Sequence, residues 1–167
     1  MDIKNNTEEL NIVKSNWYTG SGNLVVFGDI VSEIKDHTQH LGKVYIGCDS
    51  QMNGNRCTFV TAICLHGGVK KTSKYFFKRE QAPYYQNRTL RNRIDDEVSK
   101  AIDIFMYLSS NISEIDVEIH IDIGNTERSK TRNFVDSITG WVRGLGVSYK
   151  IKPNAWASAS VADKHTK

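Results

Sequence analysis

Between residues 115 and 123 apolar and polar positions alternate: Ile115, Val117, Ile119, Ile121 and Ile123 interleave with Asp116, Glu118, His120 and Asp122. A period of two predicts a β-strand. An earlier strand is predicted at 44–49, Val-Tyr-Ile-Gly-Cys-Asp, running into Asn53-Gly54, whose residues tolerate the positive φ of a hairpin turn. The segment 57–65 is apolar on both parities, so both of its faces should be covered. Gly67-Gly68 turns the chain into a third strand over about 69–77, which completes an antiparallel meander. Elsewhere the period lengthens to that of a helix. Ile30, Val31 and Ile34 predict a short helix over 29–35; Leu90, Ile94, Val98, Ala101, Ile102 and Phe105 predict a long one over about 88–108; Phe134, Val135, Ile138, Trp141 and Val142 predict another over about 128–143. A short strand at 147–151 and a final helix from 154 to about 165 close the chain, and residues 1–24, with Trp17 and Tyr18, read as a loosely held leader or as a segment that packs on the domain or on a partner.

The resulting order, β-β-β-α-β-α-β-α over residues 25–167, predicts an α/β fold. Its mixed five-stranded sheet would have three antiparallel strands, then two parallel ones, with helices on both faces. At 167 residues there is room for one domain. The composition, 39% hydrophobic and 25% charged, excludes disordered and fibrous classes. No apolar run approaches the roughly 18–20 residues of a membrane span. The first ten residues are polar and acidic, unlike a signal peptide, and Cys48, Cys57 and Cys64 lack metal-ligand spacing. These features predict a cytoplasmic protein with buried, reduced cysteines.

The net charge of +3 names no partner, but its distribution is uneven. Residues 69–93 carry eight cations against the single acid Glu80, a local excess of +7 that leaves −4 for the remainder. Tyr75, Phe76, Phe77, Tyr84 and Tyr85 are interleaved among them. Cations for phosphates and aromatics for bases suit a nucleic-acid groove, with Lys74, Lys78, Arg79, Arg88 and Arg91 as the gripping residues. A lysine-rich edge strand that resists aggregation has the same composition. Lys130 and Arg132, with Ser129, open the helix after Asp122, where cations and backbone N–H groups can take a phosphate; an ordinary polar first turn reads the same way.

The acids are distributed one per element: Asp49 ends the first strand, Glu97 borders the buried stripe of the long helix, Asp122 lies near the end of the fourth strand and Asp163 near the end of the last helix. Open α/β sheets bind ligands at the carboxyl ends of their strands, so Asp49 and Asp122 should meet. Converging carboxylates repel one another unless a cation neutralises them. They therefore point to a hard divalent metal, Mg²⁺ or Mn²⁺, and to two-metal phosphodiester hydrolysis. Singly, each acid is equally readable as a turn cap or a solvated helix residue.

Tyr45-Ile46-Gly47-Cys48-Asp49-Ser50-Gln51, His120-Ile121-Asp122-Ile123-Gly124, Ile151-Lys152-Pro153 and residues 159–167 (Ala-Ser-Val-Ala-Asp-Lys-His-Thr-Lys) resemble the signature blocks of the YkuK-type ribonuclease H-like proteins. The resemblance covers residues 25–167. It implies the ribonuclease H fold, with Asp49, Glu97, Asp122 and Asp163 as metal ligands; Asp96 is the neighbouring alternative to Glu97. His165 would assist leaving-group protonation or place a water, or else serve as a basic residue at a helix end. His120 shares the parity of Asp122 and is readable as a proton shuttle or as a half-buried partner of Glu118. The expected activity is a metal-dependent nuclease acting on RNA, an RNA–DNA hybrid or branched DNA. A binding or assembly module without turnover is the alternative. A phosphotransferase of the actin and hexokinase type is disfavoured, because residues 49–54 carry a single glycine where a phosphate loop needs several.

Overall fold

The computed structural model describes residues 3–84 and 89–167, with side chains from Thr7 onward. Arg88 and Tyr85, both expected to contact nucleic acid, lie outside the described residues. Of the readings open for the N-terminal segment, a loose leader or a segment packed on the domain, the structure has the second. The segment forms helix α1 (Ile3–Lys14) and strands β1 (Trp17–Thr19) and β2 (Leu24–Val25). Trp17 is the physical reason. Its ring is fully buried against Phe27, and its Nε1 donates to Ile12 O at 2.9 Å, so one aromatic anchor fastens a polar segment to the domain.

Helix α2 (Phe27–Gln39) buries Ile30 and Ile34 and leads into the meander of β3 (Lys43–Asn53), β4 (Arg56–Gly67) and β5 (Thr72–Pro83). The β3–β4 hairpin pairs Asn53 with Arg56, so its turn residues are Gly54 and Asn55, one step later than expected, with Gly54 at φ +58°. Positive φ at that position is what glycine supplies without steric cost. Thr89 caps helix α3 (Leu90–Asn111) by accepting from Asn92 N at 3.1 Å. Strand β6 (Val117–Ile121) is shorter than its alternating pattern. A 3₁₀ turn at Arg132–Phe134 delays helix α4 to Val135–Gly144, and β7 (Ser148–Ile151) follows. The last helix is π-helical over Ala157–Ala162 and ends in a 3₁₀ turn, Asp163–His165.

Among the described residues the sheet has seven strands in the order β2-β1-β5-β4-β3-β6-β7. The five expected strands stand in the expected arrangement, β3, β6 and β7 being mutually parallel, and β1 and β2 extend the sheet beyond β5. Alternation sorts the strand residues between two cores. Val44, Ile46, Ile63, Leu65, Ile119 and Ile121 pack with residues of α1 to α4 on one face. Val60, Ala62, Cys64 and Phe77 pack with Ala157 and Ala162 of the last helix on the other.

Candidate active site

The carboxyl end of β3 serves both faces at once. Consecutive strand residues point to opposite sides of the sheet. Asp49 therefore faces the last helix, and Ser50 faces α3, where its hydroxyl donates to Glu97 Oε1 at 2.5 Å. On the Asp49 side, Thr166 Oγ1 lies 3.4 Å from Asp49 Oδ2 and 2.9 Å from Asp163 O, which ties the end of the last helix to the strand. Gly47 makes this possible. Its missing side chain lets the Ala157–Ser158 backbone lie directly on β3, so the helix bearing Asp163 seats close to the sheet.

Asp122 follows β6, the parallel neighbour of β3. Asp49, Glu97 and Asp122 line one cleft of about 350 Å³, together with Ser50, Arg93, Lys130 and Lys152. Asp163 is outside the lining but within electrostatic reach. Burial, then the charges of Asp122 and Asp163, raise the Asp49 carboxyl from 3.8 to about 6. Glu97 is raised further, from 4.5 to about 8, by burial first and then by Asp49 and Asp122, against the Ser50 hydrogen bond. The adjacent Asp96 is raised by burial and by Asp95, without a contribution from the strand acids, so Glu97 is the helix carboxylate that faces the cleft.

A prediction follows from Glu97. A carboxyl whose folded pKa exceeds its ordinary value contributes stability that is fully present below about 4.5 and lost as pH rises through about 8. Glu97→Gln keeps the acceptor for Ser50 and removes the charge. In EDTA near pH 9 the variant should melt roughly 4–8 °C above the parent, about 2 kcal/mol, and near pH 4 the two should coincide. Melts across that pH range test it; equal Tm values at pH 9 would show that Glu97 is not a buried charge.

The remaining expected site residues fall into distinct places. Lys78 is a correction: it is 5% exposed, paired with Glu80 at 3.2 Å and set over the Trp17 ring, so it cannot grip a nucleic acid. It was covered by the N-terminal segment whose docking the sequence hid. Lys74 pairs with Glu33, and Arg91 pairs with Asp95 at 2.9 Å while its guanidinium lies over Phe134. Both pairs are partly exposed, and such pairs are worth about 0–1 kcal/mol, little enough for a phosphate to displace them. Arg79 is exposed in the row Asp49–Val60–Arg79 across the sheet and reaches Thr166 O at 3.5 Å. Lys130 lines the cleft, and Arg132, outside that lining, lies 3.9 Å from Glu127. His165 stacks on Phe77 with ring centroids 3.7 Å apart, and its Nε2 meets the Tyr75 hydroxyl at 3.0 Å. It anchors the last turn on β5 and does not line the cleft.

His120 is structural. Its Nδ1 accepts from the Ala157 backbone N–H at 3.0 Å, which places the ring proton on Nε2, 3.0 Å from Glu118 Oε1. Burial holds its pKa below the ordinary value, and Lys43 at 3.1 Å balances Glu118. Two functional candidates were not singled out from the sequence, Arg93 and Lys152. Arg93 was one cation among eight. Lys152 becomes visible only through strand register, because the Ile121–Ile151 pair sets Asp122 and Lys152 side by side one residue later.

Among the described residues, no three His, Cys, Asp or Glu side chains stand close enough to hold one metal ion. No described helix is long and apolar enough to cross a membrane. A family model described as "Ribonuclease H-like" matches residues 25–167. The chain is similar to the "Uncharacterized protein YkuK" of Bacillus subtilis (strain 168), being 24% identical over 168 residues that cover 90% of this chain and 96% of that protein. No solved structure gives a significant match. A mixed sheet with its acids at the strand ends agrees with the family match, and the chain belongs to the ribonuclease H-like family.

Proposed function

We propose that the protein is a divalent-metal-dependent nuclease that hydrolyses phosphodiester bonds in RNA, an RNA–DNA hybrid or branched DNA. The observation that carries this reading is the convergence of Asp49, Glu97 and Asp122 on one cleft rimmed by Arg93, Lys130 and Lys152. The donor set fits Mg²⁺ or Mn²⁺: all candidate ligands are carboxylate oxygens, Asp122 Oδ1 is buried without a hydrogen-bond partner, and the mutual repulsion of the acids calls for a cation. Asp49, Asp122, Glu97 and Asp163 are the candidate ligands; no three of them stand close enough to share one ion as they are placed, so their side chains would have to draw together around a metal, which when bound would supply an activated water and stabilise the leaving oxygen.

The chain's own residues supply the rest. Ser50 orients Glu97, and Thr166 holds the end of the last helix against Asp49. Arg93 and Lys130 offer charge to the phosphates flanking the reacting bond, and Arg79, Lys74 and Arg91 extend that charge along the surface. A cytoplasmic setting agrees with three free, buried cysteines. A second reading, a binding module without turnover, is favoured by the Lys152–Asp122 ion pair, which already neutralises one of the acids.

The test is cleavage of a labelled panel of single-stranded RNA, RNA–DNA hybrid, duplex DNA and four-way-junction DNA with Mg²⁺ or Mn²⁺. Cleavage that falls to background in EDTA and returns on adding metal is the expected result. Binding without cleavage would overturn the nuclease reading in favour of the binding module.

A further inference from the structure

The structure points to a role for Lys152 that rests on the metal-dependent reading of the cleft and deepens it. Lys152 Nζ stands 2.9 Å from Asp122 Oδ1, yet that oxygen is buried and has no hydrogen-bond partner, so the contact is an ion pair without hydrogen-bond alignment. The backbone fixes the base of the side chain. Lys152 N donates to Ile123 O at 2.9 Å, and the parallel register of β6 and β7 leaves Lys152 directly beside Asp122. The tip is free to move, because the Lys152 side chain is half exposed while that of Asp122 is only 21% exposed. The ammonium itself loses little on swinging into water; the cost lies in leaving the buried Asp122 oxygen without a counter-charge, and a cation bound there removes that cost.

We propose that Lys152 is the built-in counter-cation of Asp122 in the metal-free protein, and that it gives up this carboxylate when a divalent cation binds. Asp49 and Glu97 already share the cleft with Asp122. A divalent ion drawn to Asp122 Oδ1 would meet the ammonium there and repel it. Once released, the ammonium remains tethered at the rim of the same cleft, beside Lys130, as a monovalent charge for a phosphate oxygen. Lys152 is thus a positioning residue, competing with metal before binding and facing substrate after it.

The experiment is calorimetric titration of the full chain with Mg²⁺, comparing parent, Lys152→Met and Lys152→Gln. Each substitution removes the charge, the first keeps the apolar stem, and far-UV circular dichroism checks that each folds. Removing the competitor should tighten Mg²⁺ binding about 3- to 10-fold, and the gain should vanish when Asp122→Asn is combined with either substitution. Affinity that is unchanged or weakened in both variants overturns the proposal. Tighter Mg²⁺ binding without cleavage of any nucleic acid would uphold the role of Lys152 and sink the nuclease reading. Metal-dependent cleavage with unaltered affinity would do the reverse, and absence of Mg²⁺ uptake by parent and variants alike would overturn both.

Discussion

Asp122→Asn is expected to lower metal-dependent cleavage on the order of 10³-fold, about 4 kcal/mol of transition-state stabilisation, while the protein remains folded. Three features make this the most severe single change in the cleft. Asp122 lies where β6 ends beside β3, its charge raises both Asp49 and Glu97, and its Oδ1 is the buried acceptor that no hydrogen bond satisfies. Asparagine keeps the shape and one carbonyl oxygen but loses the charge that attracts a cation. The fold should survive, because the partner left behind, Lys152, is half exposed and can turn to water. Cleavage rates on the preferred substrate, with Tm measured alongside, check the prediction. Unchanged cleavage would remove Asp122 from the reaction, and an equal loss of Tm and rate would trace the effect to folding.

The second large effect is structural. Gly47→Ala should lower Tm by about 6–12 °C, the equivalent of roughly 3 kcal/mol, and reduce cleavage by more than the loss of folded protein explains. A Cβ at position 47 would fall 2.5 Å from the Ala157 carbonyl carbon, 2.8 Å from its oxygen and closer still to Ser158 N. All three atoms are backbone, so no side-chain rotation relieves the clash, and the last helix must lift from β3. Asp163 and Thr166 lift with it, which takes one carboxylate and the tie to Asp49 out of place. Thermal melts and the cleavage assay at a temperature where the variant is folded separate the two effects. A Tm equal to that of the parent would show that the helix has room to spare.

Much of this architecture was legible in the alternation of β6, the glycine-bearing turns and the stripe of α3, because those patterns report which residues must leave water. The same logic placed Glu97 beside the core and Asp49 and Asp122 at adjacent strand ends. What stayed hidden has identifiable causes. Lys78 reads as exposed because nothing near it in sequence says that Trp17 will cover β5. Glu118 and His120 occupy the polar parity of an amphipathic strand, yet both are buried, because the last helix covers that face; its Ala157 N–H satisfies His120, and Lys43 of β3 satisfies Glu118. The cations rimming the acids come from α3, the loop after β6 and the end of β7, so only the strand order brings them together. Sequence composition drew the eye instead to 69–93, where ion pairs with Asp36, Glu33 and Asp95 from outside the segment offset part of the excess charge.

The bond from Ala157 N to His120 Nδ1 also makes the molecule its own gauge of helix opening. The Ala157 amide proton, given to a histidine that is 1% exposed, meets solvent when the covering helix departs. The exchange lifetime of that amide, read by magnetic resonance, is therefore a clock for how often the Asp163-bearing segment leaves the sheet.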